Sequence, residues 1–403
     1  MLKTIKSLTP EAGRTDTAGL RGYDADALAT CVADSAQPWW RRRACVEALA
    51  GRVPERRVTE LIARVQDTGD VSEVRIALLK LLADRPELPW LRHEDRRQDN
   101  AYGMAEAVLG ARGALGDLTA AGDLATLAFG PWRHRREIGE AGLDRLTARY
   151  GAEAVLAELD GARPEHRSTA VRMRHHAGED VTDALADPDP GVAYRAQEFL
   201  TDPERLRGYL AGAPTEEAAM WAVYALHRLT DDVAETRRLY EQWGRPRVEV
   251  TGLDEEVRAA IVHEYGRGCE ERSDPRWRIE ALCAGPPPAC HPAERLLRAT
   301  AALTAAGLAT KPPVSCGDAH HQGDGTYDVI GYGAVGREVH ISTLGPFAAD
   351  WNEDPGVRRA LESAGFRWID DAVGSIRVTG LGVYYFGSRD PLDVRTLLFY
   401  WQD

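Results

Sequence analysis

Lysine is almost missing from this 403-residue chain. It stands only at positions 3, 6, 80 and 311, so nearly all of the 50 basic residues are arginine. Beside abundant alanine and glycine, that ratio points to GC-rich coding rather than to an arginine-specific role. A surplus of positive charge is missing too. The formal net charge of −13 argues against a protein that coats nucleic acid, although it leaves room for a local basic groove. No apolar run approaches the roughly 18 residues of a membrane-spanning helix, so no membrane partner is expected. The opening MLKTIKSLTPEAGR lacks the apolar middle of a signal peptide. Six cysteines spread over this length form no disulfide framework. The expected compartment is therefore a bacterial-type cytoplasm with reduced thiols. Motifs of common chemistry are missing as well: no phosphate-cradling G-x-x-x-x-G-K-[ST], no His-Glu-x-x-His, no Gly-x-Ser-x-Gly. Gly331-x-Gly333-x-x-Gly336 fits the dinucleotide pattern in form only, because it lies between two strands rather than opening a helix.

What is present suits a folded chain. Hydrophobic residues make up 44% and charged residues 28%, enough for a sizeable core. The length suits two to four domains or one repeat array. A pattern recurs up to about residue 283: a turn with Pro or Asp, an apolar residue, one or two Arg, then a small and apolar helix. PWWRRRACVEALA at 38–50, DVSEVRIALLKLLA at 70–83, DPDPGVAYRAQEFL at 187–200 and LDEEVRAAIVHEY at 253–265 carry it most clearly. AAMWAVYAL at 218–226 keeps only the apolar part, and SDPRWRIEALC at 273–283 is shorter. GPWRHRREIGEAGLDRL at 130–146 and RPEHRSTAVRM at 163–173 are looser copies. In the second copy Val74, Ala77, Leu78, Leu81 and Leu82 share one helical stripe. The Asp-Pro starts predict a capped helix N-terminus, with Asp as cap and Pro in the first turn. Shorter helices are expected between the copies, at Val58–Val65, Gly122–Ala128 and Ala152–Leu159.

These copies resemble the short bacterial type of HEAT-like repeat, over roughly residues 25–285. The resemblance implies a fold and no activity: a right-handed α-solenoid with an extended concave face. The expected fold class is mainly α, a HEAT-like α-solenoid followed by a small α+β domain. One helix pair cannot bury its stripe alone, so neighbours must stack into a continuous core. The large curved surface that results suits a macromolecular partner.

The chain changes character after residue 284. The domain expectation is a solenoid over 1–284, a Pro/Gly-rich linker with one helix over 285–325, and an α+β domain over 326–403. The linker helix falls at Ala293–Ala306. From Tyr327 the apolar period shifts from 3.6 to 2. Strands are expected at Tyr327–Tyr332 and Val335–Leu344, with Val335, Val339 and Ile341 facing one way and Glu338, His340 and Ser342 the other. A helix is expected at Asp354–Ala364. Further strands are expected at Phe366–Asp370, Ile376–Thr379, Val383–Phe386 and Thr396–Trp401, the last two central. Gly380 and Gly382 suggest a bulge or a close backbone approach.

Two aromatic-basic clusters are the leading candidate sites: Trp39, Trp40, Arg41, Arg42 and Arg43, and Trp132, Arg133, His134, Arg135 and Arg136. Trp beside Arg can stack on bases, grip phosphate or anchor a protein. Equally, in HEAT-like helices such Arg residues pack on the next repeat and pair with its Asp. The expected partner-binding set is Trp39, Trp40, Arg41, Arg42, Trp132, Arg133, Arg136 and Arg172. The loop holding Cys316, Asp318, His320, His321, Asp324 and Asp328 has metal-binding residue types without a diagnostic spacing, and reads as a polar linker. His175-His176, after Arg172 and Arg174, reads as a solvated helix end. Tyr384-Tyr385-Phe386 reads as core packing. No catalytic residue, cofactor or metal is expected.

The resulting reading is a non-enzymatic binding or scaffold protein that docks a protein partner on its concave face, the acidic charge favouring a basic one. An adaptor, a regulator or an immunity-type inhibitor would fit. The alternative is a nucleic-acid enzyme like the HEAT-like alkylpurine DNA glycosylases, although no motif of theirs matches here. A lyase-like role for the C-terminal module lacks any specific support. A continuous basic stripe through Arg41, Arg133 and Arg172 would favour nucleic acid; a mixed or acidic face would favour protein.

Overall fold

The repeated segments of the sequence all become helices. A computed structural model describes residues 4–83, 85, 101–268, 273–285, 291–333 and 336–402. It is mainly α, about 58% helical, with a small strand-containing region of about 8% near the C-terminus. The copies form the helices Trp39–Ala48, Ser72–Leu81, Arg133–Tyr150, Pro164–His176, Pro190–Phe199, Glu216–Thr230, Glu255–Tyr265 and Pro275–Cys283. The shorter helices between them are Val58–Gln66, Ala121–Phe129 and Ala152–Leu156.

Local chemistry explains where these helices start. At four Asp-Pro steps the carboxylate accepts a hydrogen bond from a backbone N–H of the first turn. Asp189 takes Gly191, Asp202 takes Glu204 and Arg205, Asp274 takes Arg276, and Asp354 takes Gly356 and Val357. One arginine bond also recurs at a fixed sequence distance. Arg42 donates to the Val32 carbonyl at 2.8 Å, Arg75 to Val65 at 2.9 Å and Arg258 to Val248 at 2.9 Å. In each case the acceptor lies ten residues earlier. For Arg42 and Arg75 it is a carbonyl of the last turn of the preceding helix, a group with no partner inside that helix.

The chain divides into two compact units, 1–179 and 180–403. In the first, one apolar cluster joins Leu28, Val32, Cys45, Leu49, Leu61, Val74, Leu78 and Leu82, and a second joins Leu124, Ala125, Leu143, Leu146 and Val155. The predicted stripe of the second copy holds, with Val74, Leu78 and Leu82 buried and Ala77 and Leu81 partly so. Glycine makes the second cluster possible. A Cβ on Gly139 would lie 2.5 Å from the Ala128 nitrogen and 2.6 Å from the Leu124 carbonyl oxygen. The helices Ala121–Phe129 and Arg133–Tyr150 can therefore touch along their backbones.

Among its described residues the second unit adds nine short strands: β1 Val314–Ser315, β2 Asp324–Gly325, β3 Tyr327–Gly331, β4 Glu338–Ser342, β5 Phe347–Asp350, β6 Arg367–Trp368, β7 Arg377–Val378, β8 Leu392–Asp393 and β9 Trp401–Gln402. The main sheet has the order β1-β3-β4-β5-β6, antiparallel except for the β5–β6 pair. Val329 faces His340 across β3 and β4. The remaining strands pair as β2 with β9 and β7 with β8.

Both faces of the main sheet are covered. On one face Ile330, Val339, Ile341 and Ala348 meet Ala299 and Leu303 of the helix Pro292–Ala305, together with Val357 and Leu361 of the helix Pro355–Ser363. On the other face Tyr327, Val329, Phe347 and Ala349 meet Val257, Ile261 and Trp277, together with Leu397 and Leu398. Helices from before residue 284 thus form a layer of the C-terminal core, and the compact units do not part at 284. The reason is the apolar second face of β3, β4 and β5, which needs cover that the C-terminal segment does not fully supply. Backbone contacts reinforce the join. Asp274 N–H donates to the Gly380 carbonyl at 2.7 Å, Trp277 Nε1 to the Thr379 carbonyl at 3.1 Å and Gly382 N–H to the Ser273 hydroxyl at 3.0 Å. Gly380, at φ +73°, has the close approach expected of it: a Cβ there would meet Asp274 at 3.2 Å.

Other local expectations need correction. Residues 310–325 are not a plain linker, because β1, the short helix Cys316–His320 and β2 all lie in them. Val383–Phe386 is a turn region rather than a central strand, bridged only between Tyr385 and Ser388. The first half of Thr396–Trp401 belongs to the helix Val394–Leu398, which Asp393 caps through Thr396 N–H, and β9 follows it. The strand β5 was not expected. His340 and Ser342 lie on the face opposite Val339 and Ile341, and both are buried because that face is covered as well. Val335 lies outside the described residues.

Candidate functional site

The expected partner-binding residues all lie in the first unit, and the structure separates them by role. Pro38 stands at the N-cap of the helix Trp39–Ala48, so Trp39 and Trp40 open its first turn. Trp39 is 41% exposed and Trp40 36% exposed, and their rings meet edge to face at 6.2 Å. The next two arginines turn inward. Arg41 donates to the Thr9 hydroxyl at 2.9 Å and to Gln37 at 3.1 Å. Arg42 is buried and grips both oxygens of Asp70, at 2.6 and 2.5 Å. Both are structural, because a guanidinium already enclosed by such partners has no free edge for a ligand.

The second cluster divides in the same way. Trp132, just before the helix Arg133–Tyr150, is 40% exposed. Arg133 is exposed and pairs with Glu137 at 2.9 Å. Arg136 folds back onto the Gly130 and Pro131 carbonyls. Arg172 pairs with Asp144 at 3.0 Å with its side chain largely covered. The three positions that would have marked a basic stripe are thus a buried Arg41, a carboxylate-paired Arg133 and a carboxylate-paired Arg172. His175 and His176 close the helix Pro164–His176, as expected.

The second unit contains a cleft that sequence reasoning missed. It encloses about 1630 Å³ between the helices Val233–Gln242, Glu255–Tyr265, Pro275–Cys283 and Pro292–Ala305 and the loop 343–346 between β4 and β5. Its wall mixes arginines and glutamates with apolar residues. Arg258 is buried, holds Glu280 through two bonds of 3.0 and 2.7 Å, and lies over the Trp277 ring at 4.5 Å. Arg247 reaches Glu280 at 3.1 Å and Glu255 at 2.9 Å, and Arg245 reaches Glu241 at 2.7 Å. Arg295 is buried and donates to the carbonyls of Ser342, Gly345 and Thr343 at 2.6, 2.5 and 3.3 Å. Burial pulls its pKa below the usual arginine range, and the neighbouring Arg298 adds to this. The Tyr240 hydroxyl is buried beside Arg247. Burial raises that hydroxyl to about 12, and the nearby Glu280 carboxylate adds to the shift. No sequence signal marks this cleft, because its residues come from five separated segments.

A third feature is a chain of aromatic rings. Trp351 meets His340 at 5.9 Å, and His340 meets Tyr327 at 4.7 Å. The Tyr327 hydroxyl is 2.9 Å from His320 Nε2, and the His320 ring lies 4.3 Å from Trp401. Trp401 meets Phe386 at 5.5 Å. Phe386 is half exposed and sits at φ +42°, a backbone conformation that bulky residues rarely adopt. The run Tyr384-Tyr385-Phe386 is therefore not wholly core. Among the described residues no group of three or more His, Cys, Asp or Glu is placed to share a metal ion. The Cys316–Asp328 segment instead supplies His320 to the ring chain.

Comparison of the chain with protein-family models, with curated proteins and with solved structures returned no match. No helix among the described residues is long and apolar enough to cross a membrane.

Proposed function

We propose that this protein is a non-enzymatic binding protein that docks a protein partner, with Trp39, Trp40 and Trp132 of the first unit as anchors. An adaptor, a regulator or an immunity-type inhibitor in the cytoplasm would use such anchors in the same way. One observation carries the reading: these three indoles stay 36–41% exposed while the arginines beside them are taken up internally or by carboxylates. Exposed tryptophans supply large contact area at low entropic cost and dominate the energetics of protein interfaces. Phosphate binding would call for the opposite allocation, with buried indoles and free guanidiniums. The HEAT-like reading is supported by the arginine-to-carbonyl bond repeated at Arg42, Arg75 and Arg258.

The test is binding by a variant carrying Trp39→Ser, Trp40→Ser and Trp132→Ser. A partner captured from the native host and purified should bind the variant at least tenfold more weakly, with an unchanged thermal midpoint. Unchanged affinity would remove the tryptophans from the interface. Tight DNA binding that weakens steeply between two salt concentrations would replace the protein partner with nucleic acid.

A further inference from the structure

The exposed apolar side chains of the first unit are not scattered. Among its described residues the large ones are Trp39, Trp40, Val71, Tyr102, Trp132 and Tyr150. All but Tyr150 mark the N-terminal ends of four helices. Trp39 and Trp40 open Trp39–Ala48, and Val71 is the N-cap of Ser72–Leu81. Tyr102 precedes Gly103, the N-cap of the helix Met104–Leu115, and Trp132 is the N-cap of Arg133–Tyr150. Tyr150 stands at the other end of its helix, and its hydroxyl donates to the Gly116 carbonyl at 2.7 Å.

These four ends adjoin. Arg42 of the first helix holds Asp70, the residue before Val71. A Cβ on Gly103 would lie 3.2 Å from Ile76 of the second helix. Glu106 pairs with Arg135 at 2.8 Å and ties the third end to the fourth. Those two helices run parallel, because further along a Cβ on Gly110 would meet Ile138 at 3.1 Å and one on Gly113 would meet the Gly142 Cα at 2.8 Å. The exposed side chains therefore follow one rim in the order Trp39 and Trp40, Val71, Tyr102, Trp132.

The chemistry of the rim selects its occupant. It is not built for charge. Residues 1–179 hold 27 basic and 27 acidic residues, and the charged side chains beside the ends pair within the unit: Arg43 with Glu47, Arg133 with Glu137, Arg135 with Glu106. The N-caps Pro38, Val71, Gly103 and Trp132 supply no side-chain acceptor, so the first turns offer N–H donors. The complement is an uncharged apolar segment that accepts hydrogen bonds and donates few. Proline lacks an N–H, and a polyproline II chain leaves its carbonyls free. The repeats agree too: packed helices lie about 8–10 Å apart, and a polyproline II chain returns to the same face about every 9 Å. Aromatic-lined surfaces receive such segments in other proteins.

We propose that this rim binds a proline-rich segment of the partner, held in the polyproline II conformation across the helix ends. One residue in three packs against Trp39 and Trp40, Val71, Tyr102 or Trp132. The inference rests on the docking role of the three tryptophans and adds Val71, Tyr102 and the class of ligand.

The probe is a fluorescein-labelled ten-residue oligoproline, followed by polarisation against the whole chain. Saturable binding is expected, with little dependence on salt because no charge takes part. Tyr102→Ser and Trp132→Ser should each weaken it at least fivefold with an unchanged thermal midpoint. Trp351→Ser, at an exposed indole of the second unit, should leave it within twofold. A Gly-Ser peptide of the same length should not bind. Absence of saturable binding, equal binding of the Gly-Ser peptide, or equal weakening by Trp351→Ser would overturn the proposal. The docking role is read separately, from the purified native partner and the triple tryptophan variant. Oligoproline that fails to bind while the partner still needs the tryptophans removes the ligand class alone; a partner indifferent to the tryptophans removes the docking role and this inference with it.

Discussion

His340 makes the second unit sensitive to acid, and the size of the effect follows from its surroundings. Its ring is enclosed by Tyr327 at 4.7 Å, Trp351 at 5.9 Å and Phe399 at 6.2 Å. Burial lowers its pKa from 6.5 to about 4; His320 and Arg395 also oppose a positive charge there, while Asp350 partly offsets them. The unfolded chain takes up the proton near the ordinary histidine value. Between about pH 6.5 and about pH 4 the unfolded state therefore binds more protons than the folded one. Stability is fully present above that window, falls as pH falls through it, and loses nothing more from this group below it. The slope is up to about 1.4 kcal/mol per pH unit, and the whole loss is about 3 kcal/mol. His340→Phe keeps an aromatic ring in place and removes the titration. Urea unfolding of both proteins across this window should show the natural chain losing about 3 kcal/mol more than the variant. Other histidines and carboxylates cancel in that difference. The ring protons of His340 should meanwhile hold the neutral shift in NMR spectra until pH approaches 4. Equal acid sensitivity of the two proteins, or an NMR midpoint near 6.5, would refute the reasoning.

Three further outcomes are expected. Asp70→Asn removes the charge partner of Arg42 within a buried pair, so chemical denaturation should show a loss of about 3–5 kcal/mol; a loss under 1 kcal/mol would mean that water reaches the pair. Gly139→Ala places a methyl against the Ala128 and Leu124 backbone, so the helices Ala121–Phe129 and Arg133–Tyr150 must separate, at about 1–3 kcal/mol in thermal or urea unfolding; an unchanged midpoint would show that the seam can give. Cys45 is buried while Cys31 is only partly so. Iodoacetamide on the native protein, read by peptide mass, should therefore modify Cys31 and spare Cys45, and equal labelling would contradict that assignment.

The helical part was legible because its signals are local. An Asp-Pro step caps its own helix, and an i, i+3, i+4 stripe such as Val74, Leu78 and Leu82 marks its own buried face. The C-terminal part was legible only where one of these rules held alone. Pro292–Ala305 and Pro355–Ser363 were read within two residues of their ends, and β3 and β4 were found from their period of two. β5 was missed because Phe347–Asp350 is buried on both faces and shows no alternation. The helix at Val394–Leu398 was hidden within an apolar run that could equally be a strand, and only its cap, Asp393 bonding to Thr396, decides the matter. The candidate arginines could not be sorted in sequence. Arg41 and Arg42 look like Arg133 on paper, and their partners Thr9 and Asp70 lie 32 and 28 residues away.

That sorting also changes how the arginine excess should be understood. A guanidinium placed ten residues after a backbone carbonyl can fill that acceptor and hold a carboxylate from elsewhere in the fold with its remaining donors, as Arg42 does with Val32 and Asp70 and Arg258 does with Val248 and Glu280. Lysine, with one compact ammonium and no planar fork, cannot do both at once. The near absence of lysine is then compatible with the fold at such positions, whatever its origin in coding.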